Sequence, residues 1–151
     1  MNKIKRLLKK AYTPEADNFY EECKNNGKFN KAQLNVIFDG IYVCGFDVED
    51  ISFFVKPNYT VKKMNTMLKC LREGYDKNSD CVKFLEKNCD KFEEDQINSI
   101  IRGYNLKLSP EEMNLYVNLQ YPSYKMNDII DDLMEESIEE VKEKIENNYY
   151  D

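Results

Sequence analysis

The apolar positions of this chain recur with a helical beat. Phe29, Tyr59, Phe92 and Tyr121 lie 30, 33 and 29 residues apart, and five residues after each comes Leu34, Met64, Ile97 or Met126. Eight after stand Ile37, Met67, Ile100 and Ile129; nine after stand Phe38, Leu68, Ile101 and Ile130. Twelve after stand Ile41, Leu71, Tyr104 and Leu133. Offsets of 5, 8, 9 and 12 trace one face of an α-helix. All sixteen positions are apolar or tyrosine, in a chain where such residues make up 42%, so the period is read as an internal repeat.

Helix punctuation falls between these stripes. Thr13-Pro14-Glu15 sets a capping hydroxyl before a proline at the first helical position, and Asn25-Asn26-Gly27 closes that helix. Asn30-x-x-Gln33 opens the next as a capping box, which Gly45 can close. Ser109-Pro110-Glu111-Glu112 is the strongest start signal. Room remains for shorter second helices at about 48–55, 80–88 and 110–119. No convincing alternating strand intervenes. The expected fold is all-α: a stack of helical hairpins, about three and a half repeats of roughly thirty residues. A basic amphipathic N-terminal helix precedes it and a long acidic C-terminal helix follows. At 151 residues one domain is expected, with N-terminal helices in 1–27, hairpins in 29–121 and the acidic helix in 122–151.

Charge sharpens the picture of the two ends. The net charge is −6, which argues against general nucleic-acid binding. Residues 1–10 carry Lys3, Lys5, Arg6, Lys9 and Lys10 with no acid, a candidate basic patch around a stripe of Ile4, Leu7, Leu8 and Ala11. Residues 127–151 carry ten acids against Lys142 and Lys144. There Ile130, Leu133, Met134, Ile138, Val141 and Ile145 fall within an arc of roughly 140°. Asp128, Asp131, Asp132, Glu135, Glu136, Glu139, Glu140 and Glu143 line the opposite side. Acids four residues apart stand about 6 Å apart along a helix, comparable to phosphate spacing. The face is read either as a solvated cap or as a partner-binding surface that mimics a nucleic-acid backbone.

Candidate chemistry is sparse. The chain has no histidine, which removes Ser-His-Asp and Cys-His nucleophiles and every His-ligated metal site. Cys23, Cys44, Cys70, Cys81 and Cys89 show no C-x2-C spacing and are expected to be reduced and mostly buried, in a cytoplasmic protein. There is no Gly-rich phosphate loop and no apolar run of transmembrane length. No catalytic, cofactor-binding or metal-binding residue is assigned, and no cofactor is expected. Tyr42, Tyr75, Tyr116, Tyr124, Tyr149 and Tyr150 lie off the repeat register and are the candidates for an exposed interface.

The repeat resembles one carried by proteins of low-GC Gram-positive bacteria, their phages and mobile elements. Its pattern reads F-x3-Q-M-x2-I-x2-G-L-x2-G, followed by a short helix and Y-A-x-P-x-[FY]. Phe29-x3-Gln33-Leu34-x2-Ile37-x2-Gly40-Ile41 and Phe92-x3-Gln96-Ile97-x2-Ile100-x2-Gly103-Tyr104 look like two copies. Phe54-Val55-Lys56-Pro57-Asn58-Tyr59 is similar to the junction. Tyr59-x3-Lys63-Met64 loses the glutamine, and Pro122-Ser123-Tyr124 falls three residues out of phase with the helix counted from Tyr121. The resemblance covers about residues 29–134, implies a helical scaffold and assigns no catalytic residue. Its usual settings, with the acidic face, lead to an expected function. This is a non-enzymatic protein-binding module, concretely an inhibitor of a bacterial defence nuclease of the anti-CRISPR kind. The partner would be a protein of a nucleic-acid-handling defence complex. The alternatives are a self-assembling adaptor, forming homo-oligomers, and direct nucleic-acid binding through the basic N-terminal helix.

Overall fold

A computed structural model describes residues 13–151, and among them the protein is all-helical, with nine α-helices and no strand. The basic N-terminal stretch, with Lys3, Lys5, Arg6, Lys9 and Lys10, lies outside the described residues. The chain divides into two compact units, the first closing at Cys89 and the second running from Asp90 to Asp151.

In the first unit, α1 (Pro14–Asn25) starts on the Thr13 hydroxyl, which accepts from the Ala16 N–H. It ends before Gly27, whose φ of +70° a side chain would resist. Helix α2 (Lys31–Phe38) opens on the Asn30–Gln33 capping box and continues through a π-helical turn over Asp39–Val43. Then come α3 (Val48–Ile51), α4 (Val61–Arg72) and α5 (Asp80–Asn88). In the second unit, after a short 3-10 turn at Cys89–Lys91, follow α6 (Glu94–Asn105), α7 (Pro110–Tyr116), α8 (Ser123–Leu133) and α9 (Ile138–Glu146). The start at Ser109 has its expected form: its hydroxyl accepts from the Glu112 N–H, and the Glu112 carboxylate accepts from the Ser109 N–H.

The helical stripes point inward. Thirteen of the sixteen periodic positions are buried; Leu34 and Tyr104 are half-buried and Phe38 is 42% exposed. Each buried Met, Leu or Ile side chain is worth about 1.5–3 kcal/mol relative to exposure, so this face carries much of the stability. Two buried glutamines complete the packing. Gln33 Oε1 accepts from the Asn30 N–H, while its Nε2 donates to the carbonyls of Pro57 (3.0 Å) and Tyr59 (2.9 Å). Gln96 Oε1 accepts from the Glu93 N–H, while its Nε2 donates to the carbonyls of Leu119 (3.3 Å) and Tyr121 (2.8 Å). Each glutamine thus ties the start of its own helix to the segment leading into α4 or α8. Tyr121, not the Pro122-Ser123-Tyr124 triplet, occupies the position that Tyr59 holds in the first unit.

Two expectations need correction. The acidic segment is not one long helix: α8 stops at Leu133, a turn spans Met134–Glu136, and α9 begins afresh after Ser137. The reason is local. The Ser137 hydroxyl accepts from the Glu140 N–H and the Glu140 carboxylate accepts from the Ser137 N–H, a capping box that starts a new helix. Of the tyrosines expected at an interface, Tyr124 (61%) and Tyr149 (66%) are exposed, but Tyr116 and Tyr150 are buried. Tyr116 packs against Gly103, where an added Cβ would fall 1.6 Å from its hydroxyl oxygen. The thiols are free, with Cys44 half-buried and the other four buried; Cys70 and Cys81 hydrogen-bond to one another.

Candidate functional site: the acidic surface of the second unit

Charge separates along the same division as the fold. Residues 1–89 carry sixteen Lys/Arg and twelve Asp/Glu, a net +4; residues 90–151 carry six and sixteen, a net −10. The acidity therefore belongs to one compact unit.

The structure distributes the eight predicted acids over three elements. Asp128, Asp131 and Asp132 lie on α8, Glu135 and Glu136 in the turn, and Glu139, Glu140 and Glu143 on α9. Because the helix breaks, they form no single straight stripe. They also divide by role. Asp132 and Glu136 are held by one cation: Lys144 Nζ lies 3.1 Å from Asp132 Oδ2 and 2.6 Å from Glu136 Oε1. The Tyr150 hydroxyl donates to the same Asp132 oxygen at 2.6 Å. Arg102 of α6 pairs with Asp131, Lys125 pairs with the terminal Asp151, and Glu140 caps its own helix. Asp128, Glu135, Glu139 and Glu143 make no ion pair among the described residues and are exposed.

The electrostatics follow this division. The hydrogen bond from Tyr150, and then the Lys144 ammonium, hold the Asp132 carboxyl below its ordinary value. Glu136, and then Asp132, push Lys144 well above its ordinary range. Burial, followed by the Asp132 carboxylate, raises the Tyr150 phenol. Lys144 and Tyr150 are thus fastened to one carboxylate, and that knot joins α8, the turn and α9. It is a structural use of acids that the sequence pattern had grouped with the solvated ones.

Two shallow hollows flank exposed Tyr149. One, of about 440 Å3, is lined by Asp128, Asp131, Asp132, Tyr150 and Asp151 besides Tyr149; the other, of about 360 Å3, includes Glu140, Glu143 and Asn147. Tyr149 is presented by Asn148, whose φ of +55° ends α9, and Lys144 Nζ lies 4.6 Å from its ring centre. Chemically, the arrangement can attract cations and exclude anions. Among the described residues no group of three or more Cys, Asp or Glu side chains is arranged to hold a metal. No helix among them is long and apolar enough to cross a membrane. Compared with known proteins, the chain matches no family model, no curated protein and no solved structure.

Proposed function

We propose that the protein is a non-enzymatic binding module of the cytoplasm, built from stacked helical hairpins, whose acidic second unit occupies a basic, nucleic-acid-binding surface of another protein. The observation that carries this reading is the set of four exposed, unpaired carboxylates, Asp128, Glu135, Glu139 and Glu143, in a unit of net charge −10. Carboxylates already satisfied by Lys144 or Arg102 have less to offer a partner; these four keep their charge for one. On α9, Glu139 and Glu143 are four residues apart, about 6 Å along the axis, a spacing a phosphate-binding surface can accept. The concrete version, resting on the repeat's resemblance, is an inhibitor of a bacterial defence nuclease of the anti-CRISPR kind.

The test is displacement. Added to a panel of purified defence nucleases preloaded with labelled DNA, the protein releases the label from its target. That release fails at high salt, because screening weakens exposed charge pairs. A panel that keeps its DNA at every concentration overturns the reading. The alternative of a self-assembling adaptor draws on the exposed Leu119, Tyr124, Met134 and Tyr149 of the same unit. Such an assembly would persist in high salt.

A further inference from the structure

Compared position by position, the two units share a longer register, of 62 or 63 residues. Phe29, Asn30, Gln33 and Gly40 correspond to Phe92, Glu93, Gln96 and Gly103. Asp47, Asp50, Phe54, Tyr59 and Lys63 correspond to Ser109, Glu112, Tyr116, Tyr121 and Lys125. Matched residues act alike. Gln33 and Gln96 make the same bonds, and Asp47–Asp50 and Ser109–Glu112 are both capping boxes. Phe54 and Tyr116 are both fully buried. Lys63 and Lys125 lie over the rings of Tyr59 and Tyr121, at 4.7 and 4.1 Å. The stretches from Phe29 through α5 and from Phe92 through α9 thus share one helix order and these matched contacts, so each is a guide to what the other can accommodate.

Glu49 and Glu111 are one such pair, each the second residue of its helix. In the second unit Glu111 receives a cation: Lys142 Nζ of α9 lies 3.5 Å from its Oε1. Among the described residues of the first unit no lysine is ion-paired with Glu49. The connection into α5 runs over residues 73–79, whereas that into α9 runs over 134–137. A hollow of about 460 Å3 stands beside Glu49 instead, within the size range of ligand sites. Half-buried Phe46 and Tyr75 and buried Leu71 line it, with Asp50 and Asp76 adding negative charge. Two aromatic rings beside carboxylates suit a cation, through ring quadrupole and ion pair together.

We propose that this hollow receives the ammonium or guanidinium end of a basic side chain presented by a protein partner, with Glu49 as its ion-pair partner. It is a site separate from the acidic surface of the second unit. Lys77 stands at its rim as a like charge that an incoming cation must tolerate.

The experiment is an NMR titration of the full chain with Nα-acetyl-lysine and Nα-acetyl-arginine methylamides, with the norleucine analogue as neutral control. Saturable shifts are expected at the amides of Gly74, Tyr75 and Asp76 with both cations and not with norleucine. Glu49→Gln, at an exposed position outside the core, should weaken binding about threefold to fivefold, the scale of one exposed ion pair. Lys77→Ala should tighten it. No shift in this region overturns the proposal, as do equal shifts with norleucine or no effect of Glu49→Gln. Shifts confined to residues 128–149 also overturn it, while agreeing with the acidic-surface reading.

Discussion

Single residues carry sharp consequences where side chains meet without slack. A Cβ at Gly103 would overlap the Tyr116 hydroxyl, whereas one at Gly40 would meet Ile51 and Leu68 methyl carbons at 3.6 Å, an ordinary contact. Gly103→Ala should therefore cost about 1–3 kcal/mol by overpacking, while Gly40→Ala stays within about 1 kcal/mol of the parent. Urea unfolding of the two variants checks the contrast, and equal losses would contradict it. Asp132 offers a pH signature. Its carboxyl is held below the ordinary 3.8, so its charge stabilises the fold above that value. That contribution is lost as pH falls through the lower folded value. Asp132→Asn should lower Tm at neutral pH and converge on the parent in strong acid. A constant offset across pH would refute this role. The sequence showed Asp132 only as one acid among eight. Its partners, Lys144 and Tyr150, lie 12 and 18 residues away, and no local pattern announces a contact made by folding α9 back.

At the scale of elements, the start signals were the most legible feature. Thr13-Pro14, Asn30-x-x-Gln33 and Ser109-x-x-Glu112 all cap helices, because a side-chain oxygen three residues from a bare N–H acts without tertiary help. Ser137-x-x-Glu140 is the same signal, and it was hidden by a charge stripe and an apolar arc that both run through the break. Ser137→Ala should cost about 1 kcal/mol and loosen amide protection in α9 ahead of α8. Uniform loosening would argue that the two helices act as one. The glutamine ties extend this logic beyond one element. Gln96→Met strips partners from the Glu93 N–H and from the Leu119 and Tyr121 carbonyls, a loss of about 1–3 kcal/mol. Hydrogen exchange should show it within residues 90–151. The repeat pattern marked that glutamine by position, but its bonds, 23 and 25 residues away, emerged only in three dimensions.

For the whole molecule, the thirty-residue beat placed the buried face well, since 3.6-residue periodicity is imposed by burial itself. The longer register of 62 or 63 residues was less visible, because the glutamine and glycine that mark it stand only at Gln33 and Gly40 and at Gln96 and Gly103. Charge then distinguishes the units: helix α4 carries Lys62, Lys63, Lys69 and Arg72 without an acid, while α8 carries Asp128, Asp131 and Asp132. Amphipathic helices of either sign bury their apolar faces in this chain, so the acidity of the second unit is not what makes it helical. That leaves the four unpaired carboxylates as the centre of the functional account. The most direct measurement replaces Asp128, Glu135, Glu139 and Glu143 together with lysine and repeats the DNA-displacement assay alongside the parent protein. Helicity and Tm should change little while displacement falls at least about tenfold, on the scale of several lost charge pairs. Undiminished displacement by a folded quadruple variant would contradict the account.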